Sequence, residues 1–454
     1  MTTTHERSRE FAVEVVSQLR KAGHQALWAG GCVRDHLVGR TPKDYDVATD
    51  ARPRQVRDLF GHRQTIPVGQ AFGVITVLGP RDAAPIEVAT FRQDVGYSDG
   101  RHPDAVRFCD PREDAQRRDF TINGLFFDPL SEEVIDYVGG QADLQAGIVR
   151  AIGDPHQRFE EDRLRMLRAV RFATDFAFEL ESNTLAAIRG HAPFLVQVSA
   201  ERITNELRRM LAHPRRARAV ELLNEAQLWA AFPPSLGTPL QDSGDRLAIA
   251  LECLAALSWS SFPAALALLV AAAEGRLDDG APLDEDGDTA SRHELSRRMA
   301  DFAEQMRLSN QERDAVIEAL NALHPIVGTT ESTWPEVQPF LVGPYARDCI
   351  EVARAAACRH SHWRAGIELC NDRLSWPYDR LNPRPLIDGG DLKRLGLKPG
   401  PAFAQWLGAV RREQLLERID SRAAALAWLE AAVASSSNSR ETPGPQESSP
   451  KRGS

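Results

Sequence analysis

Leu27-Trp28-Ala29-Gly30-Gly31-Cys32-Val33-Arg34-Asp35 and, ten residues after Arg34, Asp44-Tyr45-Asp46-Val47-Ala48-Thr49 form the stretch from which the fold is read. Gln25–Ala29 makes a short apolar strand that runs into a Gly-Gly turn. A helical turn follows and ends at Gly39. Two glycines after a strand let backbone approach a ligand closely and offer N–H groups to phosphate oxygens. Arg34, one turn further on, can clamp a triphosphate by paired hydrogen bonds. Asp44 and Asp46 are two residues apart, which on a strand puts both carboxylates on one face. Side by side, two carboxylates repel unless a cation shares them, and that makes them natural magnesium ligands. Either motif alone is an ordinary turn or an exposed strand edge; the pair at this spacing carries the information.

Working outward, Ser8–Ala22 places Phe11, Val15 and Leu19 on one helical face. Arg52–Phe60 reads as a helix with Pro53 in its first turn. The segments GVITVLG, PIEVATF, AVRFC, NGLFFDP and VIDYVGG supply further short strands. Residues 1–150 therefore read as an α+β sheet domain. After about residue 155 the strand signal stops, and from Phe159 to Val433 the periodicity is mostly helical. The segment 274–291 is acidic and Gly-rich and reads as a long exposed loop, and residues 434–454 as a disordered tail. The expected division is 1–150, 151–220, 221–433 and 434–454.

Three further groups carry chemistry. Glu87 lies in the strand IEVATF, on a face with Ala89 and Phe91, and is a third acid if that face meets the aspartates; otherwise it is a salt-bridged strand carboxylate. Gln116-Arg117-Arg118-Asp119-Phe120-Thr121-Ile122-Asn123-Gly124 offers cations for phosphate and Asp119 and Asn123 for ribose hydroxyls, or is a capped turn with a surface ion pair. Arg158–Phe172 reads as one continuous helix in which Asp162, Arg165, Arg168 and Arg171 follow at i+3 spacing. That is either a ladder of ion pairs or an Asp–Arg edge able to hydrogen-bond a nucleobase. Between Glu201 and Arg218, the arginines Arg202, Arg208, Arg209, Arg215, Arg216 and Arg218 form a basic stretch, a candidate RNA surface or a solvated helix face.

The bulk composition constrains the rest. The chain is 43% hydrophobic and 26% charged, a soluble globular balance. No apolar run is long enough to span a bilayer, and the start has no signal-peptide core. The six cysteines are scattered without a C-x-x-C pair, which points to reduced thiols in the cytoplasm rather than to disulfides or zinc. A net charge of −9 means that any nucleic-acid partner must be met by a local basic surface. Cys358, His360, His362 and Trp363 read as a packed helix rather than a metal site.

Taken together, LWAGGCVRDHLVGRTPKDYDVAT, IEVATFR, RRDFTINGLFFDP, RFEEDRLRMLRAVRFA and SAERITNELRRML resemble the class II tRNA nucleotidyltransferase and bacterial poly(A) polymerase family. The resemblance covers residues 25–210 well and the remainder more loosely. It implies a nucleotidyltransferase-type sheet head followed by a helical neck, body and tail. It further implies that Asp44 and Asp46 hold two magnesium ions with Glu87 as third acid, and that Gly30, Gly31 and Arg34 contact the triphosphate. Arg118, Asp119 and Asn123 would meet sugar and phosphate; Asp162 and Arg165 would read the base, with Arg168 and Arg171 completing the pocket. Arg92–Pro103 corresponds to a loop that helps switch specificity, and Gly390–Pro401 to a tail element near the RNA. ATP and CTP are the implied substrates and a tRNA 3′ end the implied partner, with no membrane and no obligate protein partner. Poly(A) polymerases of this class carry a basic stretch where this chain has Ile66–Ile75 without an arginine pair, so CCA addition, or only its A or CC, is favoured over a poly(A) tail. A small-molecule nucleotidyltransferase would share the Gly-Gly and Asp-x-Asp core but needs neither the neck motif nor the long helical body. Without a His-Asp pair, no phosphohydrolase activity is expected.

Overall fold

The computed structural model describes residues 4–67, 70–96, 105–278 and 289–438. They fall into two compact units, one of residues 1–255, 260–278 and 297–313, the other of residues 256–259, 279–296 and 314–454. The first unit opens with α1 (Thr4–Lys21), β1 (Ala26–Ala29), α2 (Gly31–Leu37), β2 (Asp46–Thr49), α3 (Pro53–Phe60), β3 (Thr65–Ile66), β4 (Val74–Val77) and β5 (Ile86–Thr90). It continues through β6 (Arg92–Val95), β7 (Ala105–Phe108), α4 (Pro111–Gln116), β8 (Phe126–Asp128), β9 (Glu133–Ile135), α5 (Gly140–Ala146) and β10 (Ile148–Val149). Seven strands form one mixed sheet in the order β3-β4-β5-β2-β1-β8-β9.

Within this sheet, among the described residues, only β2 and β5 pair in parallel; the intervening α3 and the β3–β4 hairpin provide the crossover that parallel neighbours need. Their register sets Asp46 opposite Glu87 and Val47 opposite Val88. Both faces of the sheet are covered, which is why β1 is a plain apolar run rather than an alternation. Trp28, Val47 and Val88 pack with Ala12, Val15 and Leu19 of α1 and Val56 of α3. On the opposite face Leu27, Ala29, Ala48 and Phe91 meet Ala115 and Phe126. Each large apolar side chain so buried contributes about 1.5–3 kcal/mol, and together they hold the β1–α2 turn and the start of β2 in place. The segments RQDV and AVRF stand apart, paired with each other as a hairpin outside the main sheet.

The helical part does not begin cleanly at residue 155. After α6 (Pro155–Glu161) and α7 (Arg165–Phe176) comes β11 (Glu179–Leu180), which pairs in parallel with β10. Two residues are too few to show a strand period. The expected continuous helix over Arg158–Phe172 is also broken: Asp162 caps α6 at φ −147° in extended backbone, and α7 starts at Arg165. Next come α8 (Ser182–His191), α9 (Ala200–Leu211) and α10 (Arg216–Glu225). The helix Phe262–Ala273 is buried on almost every side, as its unbroken apolar composition requires. Among the described residues no helix is long and apolar enough to cross a membrane.

The second unit is helical. In it Ile387, Leu392, Val410, Ile419, Ala425 and Leu429 form a core. Asp388 and Asp391 cap the helix Gly389–Arg394 reciprocally, and His360 stacks on Trp363 with ring centroids 4.1 Å apart. The expected loop at 274–291 already becomes helix at Thr289, and the expected tail from 434 is helix as far as Asn438. Residues 279–288 and 439–454 of those two segments lie outside the described residues, as do residues 97–103 of the expected specificity loop and residues 68–69 of the stretch compared with poly(A) polymerases.

Candidate active site

A cleft of about 480 Å³ opens where the β1–α2 turn, the start of β2, the Arg117–Asn123 segment and the α6–α7 junction converge. Gly30 forms its floor at φ +72°, a conformation that L side chains avoid, and a Cβ there would lie 2.8 Å from Arg118 Nη1. The turn therefore needs glycine twice over, for its dihedral and for the guanidinium beside it. Arg34 is buried at 8% exposure; its Nη1 donates to Asn123 Oδ1 at 2.6 Å and its Nη2 to Asp35 at 2.7 Å. The rings of Phe172 and Phe176 lie 5.0 and 4.5 Å from its guanidinium. A long flexible side chain is thereby fixed before any ligand arrives.

The acidic side is built from β2 and β5. Asp44 lies on a bend just ahead of β2 rather than in it. The alternation still holds: Asp44 and Asp46 are exposed while Tyr45 between them is 5% exposed in the core. Glu87 stands directly across from Asp46 on the neighbouring interior strand and is exposed like it. None of these three carboxylates has an ion-pair partner among the described residues. Asp46 is raised to about 6 by desolvation within the cleft walls and by repulsion from Glu87, with Arg118 opposing and Asp44 adding to the repulsion. Such unneutralised charge is a site for a cation. Among the described residues no three His, Cys, Asp or Glu side chains converge into a closed metal cage. Oxygen donors on one side only are what magnesium shared with substrate phosphates requires.

The opposite wall is a network of fixed polar groups. Asp119 accepts from Arg168 Nη2 at 2.6 Å, from Asn123 Nδ2 at 2.9 Å and from the Phe120 N–H at 2.8 Å. Burial alone would raise its pKa; Arg168 and Asn123 instead hold it down at about 2. Arg117 and Arg118 also line the cleft, although the sequence singles out only the second as a site residue.

Asp162 and Arg165 both face the cleft, but not as neighbours on one helix. Arg165 pairs with Glu161 at 2.8 Å and donates to the Arg117 carbonyl at 3.3 Å. Asp162 pairs with Arg202 of α9 at 2.9 Å and accepts from the Leu164 N–H at 3.1 Å. Arg202, expected on an RNA surface, thus lines the nucleotide cleft, and no local spacing could have linked it to a residue forty positions away. Arg171 points elsewhere: it is buried and pairs with Glu206 at 2.5 Å and Asp175 at 3.1 Å.

The expected basic stretch is not one surface. Arg208 pairs with Glu312 at 2.6 Å, and Arg218 is ringed by Glu179, Glu221 and Glu225. Arg216 is 1% exposed and donates to the His213 carbonyl, so it cannot reach an RNA. Arg209 and Arg215 remain exposed.

The family model "Poly A polymerase head domain" matches residues 26–150. A second model, "Probable RNA and SrmB- binding site of polymerase A", matches residues 177–237, which begin at the end of α7 and run beyond α10. The chain is 40% identical over 225 residues to a CCA-adding enzyme of Geobacillus kaustophilus, covering 49% of this chain and 54% of that one. It spans about half the length of the curated relatives it matches. Among solved structures it is similar to the Bacillus stearothermophilus CCA-adding enzyme in complex with CTP, at TM-score 0.70 and 28% identity, over 94% of this chain and 98% of that one. The Thermotoga maritima CCA-adding enzyme, solved with a tRNA, shares the fold at TM-score 0.61 and 17% identity, over 93% and 95% of the two chains. In this chain the segment matched by the first model contributes the carboxylates and Arg34, Arg118, Asp119 and Asn123, while the segment after it contributes Asp162, Arg165, Arg168 and Arg202.

Proposed function

We propose that this chain is a template-independent nucleotidyltransferase that adds CCA, or only its terminal A or CC, to tRNA 3′ ends from CTP and ATP with release of pyrophosphate. The observation that carries this reading is the cleft in which Asp46, beside Glu87 on the neighbouring strand, faces fixed arginines and a hydrogen-bonding Asp162 edge. The similarity to CCA-adding enzymes, one of them holding CTP, supports it.

In this reading Gly30 and Gly31 admit the triphosphate to backbone contact, and Arg34 and Arg118 bind its phosphates. Asp119 and Asn123 orient the ribose. Asp162, held by Arg202, accepts from an exocyclic amine, and Arg165 donates to a ring nitrogen or carbonyl; cytosine and adenine both present an amine beside an acceptor. Asp44 and Asp46 would hold two magnesium ions, with Glu87 keeping the local field negative. Bound there, magnesium lowers the pKa of the RNA 3′-hydroxyl and offsets charge on the departing pyrophosphate. The protein's own part is to position both substrates and exclude alternative bases. Arg209 and Arg215 are the exposed cations left to meet RNA. Six free cysteines, four of them buried, suit a reducing compartment such as the cytoplasm.

A primer-extension assay tests the reading. Purified protein and magnesium receive tRNA ending before CCA, in C, or in CC, and unstructured oligo(A), with each labelled triphosphate in turn. Ordered addition of C, C and A with a stop supports CCA addition, and A on the CC end alone supports the partial activity. Long A tails on any RNA would establish a poly(A) polymerase instead, and no transfer to any RNA would point to a small-molecule acceptor.

A further inference from the structure

Asp114 belongs to none of the groups assigned above, yet two cleft arginines depend on it. It is 1% exposed on α4. Its Oδ1 accepts from Arg117 Nε and Nη2 at 2.9 and 2.8 Å, and its Oδ2 from Arg118 Nε and Nη2 at 3.2 and 3.0 Å. Oδ1 also accepts the backbone N–H of Arg92 at the root of the β6–β7 hairpin, at 3.2 Å. The two guanidiniums then diverge. Arg118 extends its Nη1 toward the Asn123 carbonyl and the Gly30 floor. Arg117 donates to the Arg92 carbonyl at 2.9 Å and faces Asp94 of the hairpin at 3.5 Å. A buried carboxylate of this kind holds its partners strongly, because losing it leaves Arg118 without its ion pair and Arg117 with Asp94.

We propose that Asp114 is a positioning residue for the nucleotide: one carboxylate fixes Arg118 beside the triphosphate site and, through Arg117, ties the β6–β7 hairpin to that site. The inference rests on the nucleotidyltransferase reading of the cleft. It requires that neutralising Asp114 weakens nucleotide binding itself, rather than only the fraction of folded protein, and that it loosens the hairpin.

The test uses the full chain and measures CTP and ATP binding by calorimetry, the split of KM and kcat in primer extension, and hydrogen exchange over residues 92–96 and 105–108. Asp114→Asn is expected to weaken the affinity for both nucleotides about tenfold, the loss of one charge-assisted contact, with a matching rise in KM, and to speed exchange in the hairpin. Asp114→Glu, which keeps the charge, is expected to recover most of that affinity, and it carries the test should the asparagine variant fail to fold: a Glu variant that folds but binds nucleotide as poorly as an Arg118→Ala variant would overturn the proposal. Unchanged KM with a reduced active fraction in Asp114→Asn would also overturn it and mark the residue as purely structural. If the wild-type chain binds neither nucleotide, the functional reading fails; if the wild type binds and Asp114→Asn binds equally well, the positioning role alone fails.

Discussion

Asp162 and Arg202 form a 2.9 Å ion pair between the α6–α7 junction and α9, so the carboxylate facing the cleft is already held by a guanidinium that lines the same cleft. An aspartate so held keeps its acceptor oxygens in a fixed direction. Replacing Arg202 with Met preserves bulk and removes the grip. The expected outcome is relaxed choice among the four triphosphates, with misincorporation rising about tenfold or more, as the loss of a bidentate contact implies. Single-nucleotide incorporation with each triphosphate measures it; strict C and A selection by the variant would return Arg202 to the RNA surface.

Arg171 and Glu206 make the opposite case. Both are buried, and their pair lies outside the cleft lining. Glu206→Gln leaves a guanidinium with less compensation and should cost about 3 kcal/mol of stability. Urea unfolding reads that loss, while the CTP dissociation constant of the folded protein should stay within about twofold. A large change in nucleotide affinity would restore Arg171 to the pocket.

Gly30→Ala should act on both strain and space. Alanine at φ +72° and ψ −125° costs about 1–3 kcal/mol, and its Cβ would displace Arg118. Nucleotide affinity should fall about tenfold by displacement of that contact, whereas Gly39→Ala, where a Cβ meets nothing within 4 Å, should lose stability only. Equal losses of affinity in the two variants would mean that the dihedral alone matters.

Asp119 gives a pH dependence with a definite sign. Its folded pKa of about 2 lies below the ordinary value of 3.8, chiefly through Arg168 and Asn123 acting against burial. A depressed carboxyl contributes stability that is complete above its unfolded pKa and is lost as pH falls through the folded one. The window is therefore pH 4 to 2, and the contribution is about 2 kcal/mol. Asp119→Asn should flatten the acid limb of a stability-versus-pH curve there; an unchanged slope would show that the carboxylate is not held as described.

Asp46→Asn should abolish incorporation and, without magnesium above pH 6, raise the melting temperature, because the native carboxylate is repelled by Glu87 and Asp44 and desolvated. A lower melting temperature would mean that Asp46 is structural.

How much of this was legible follows the range of the interactions. The turn at Gly30-Gly31, the alternation around Tyr45 and the place of Glu87 in a strand are local, and period and residue type were enough to read them. The pairing of Asp46 with Glu87 needed the sheet order, because the two strands are separated by a helix and a hairpin. The α6–α7 break was hidden because Arg158–Phe172 has good helix formers throughout, and only the extended backbone at Asp162 interrupts it. Arg202 was read as an RNA-facing cation, and Glu206 and Asp114 were passed over as site residues, because charged residues on helices look solvated until a partner buries them.

The short parallel pair of β10 and β11 closes a loop in the chain around α6 and α7. Residue 150, where the head ends in sequence, is therefore a poor place to cut. A fragment stopping there would leave Ile148 and Val149 without Glu179 and Leu180, and would lose Asp162, Arg165 and Arg168 from the cleft. Chimaeras between relatives should exchange everything through Leu211 as one cassette, so that Asp162 and the Arg202 that holds it travel together.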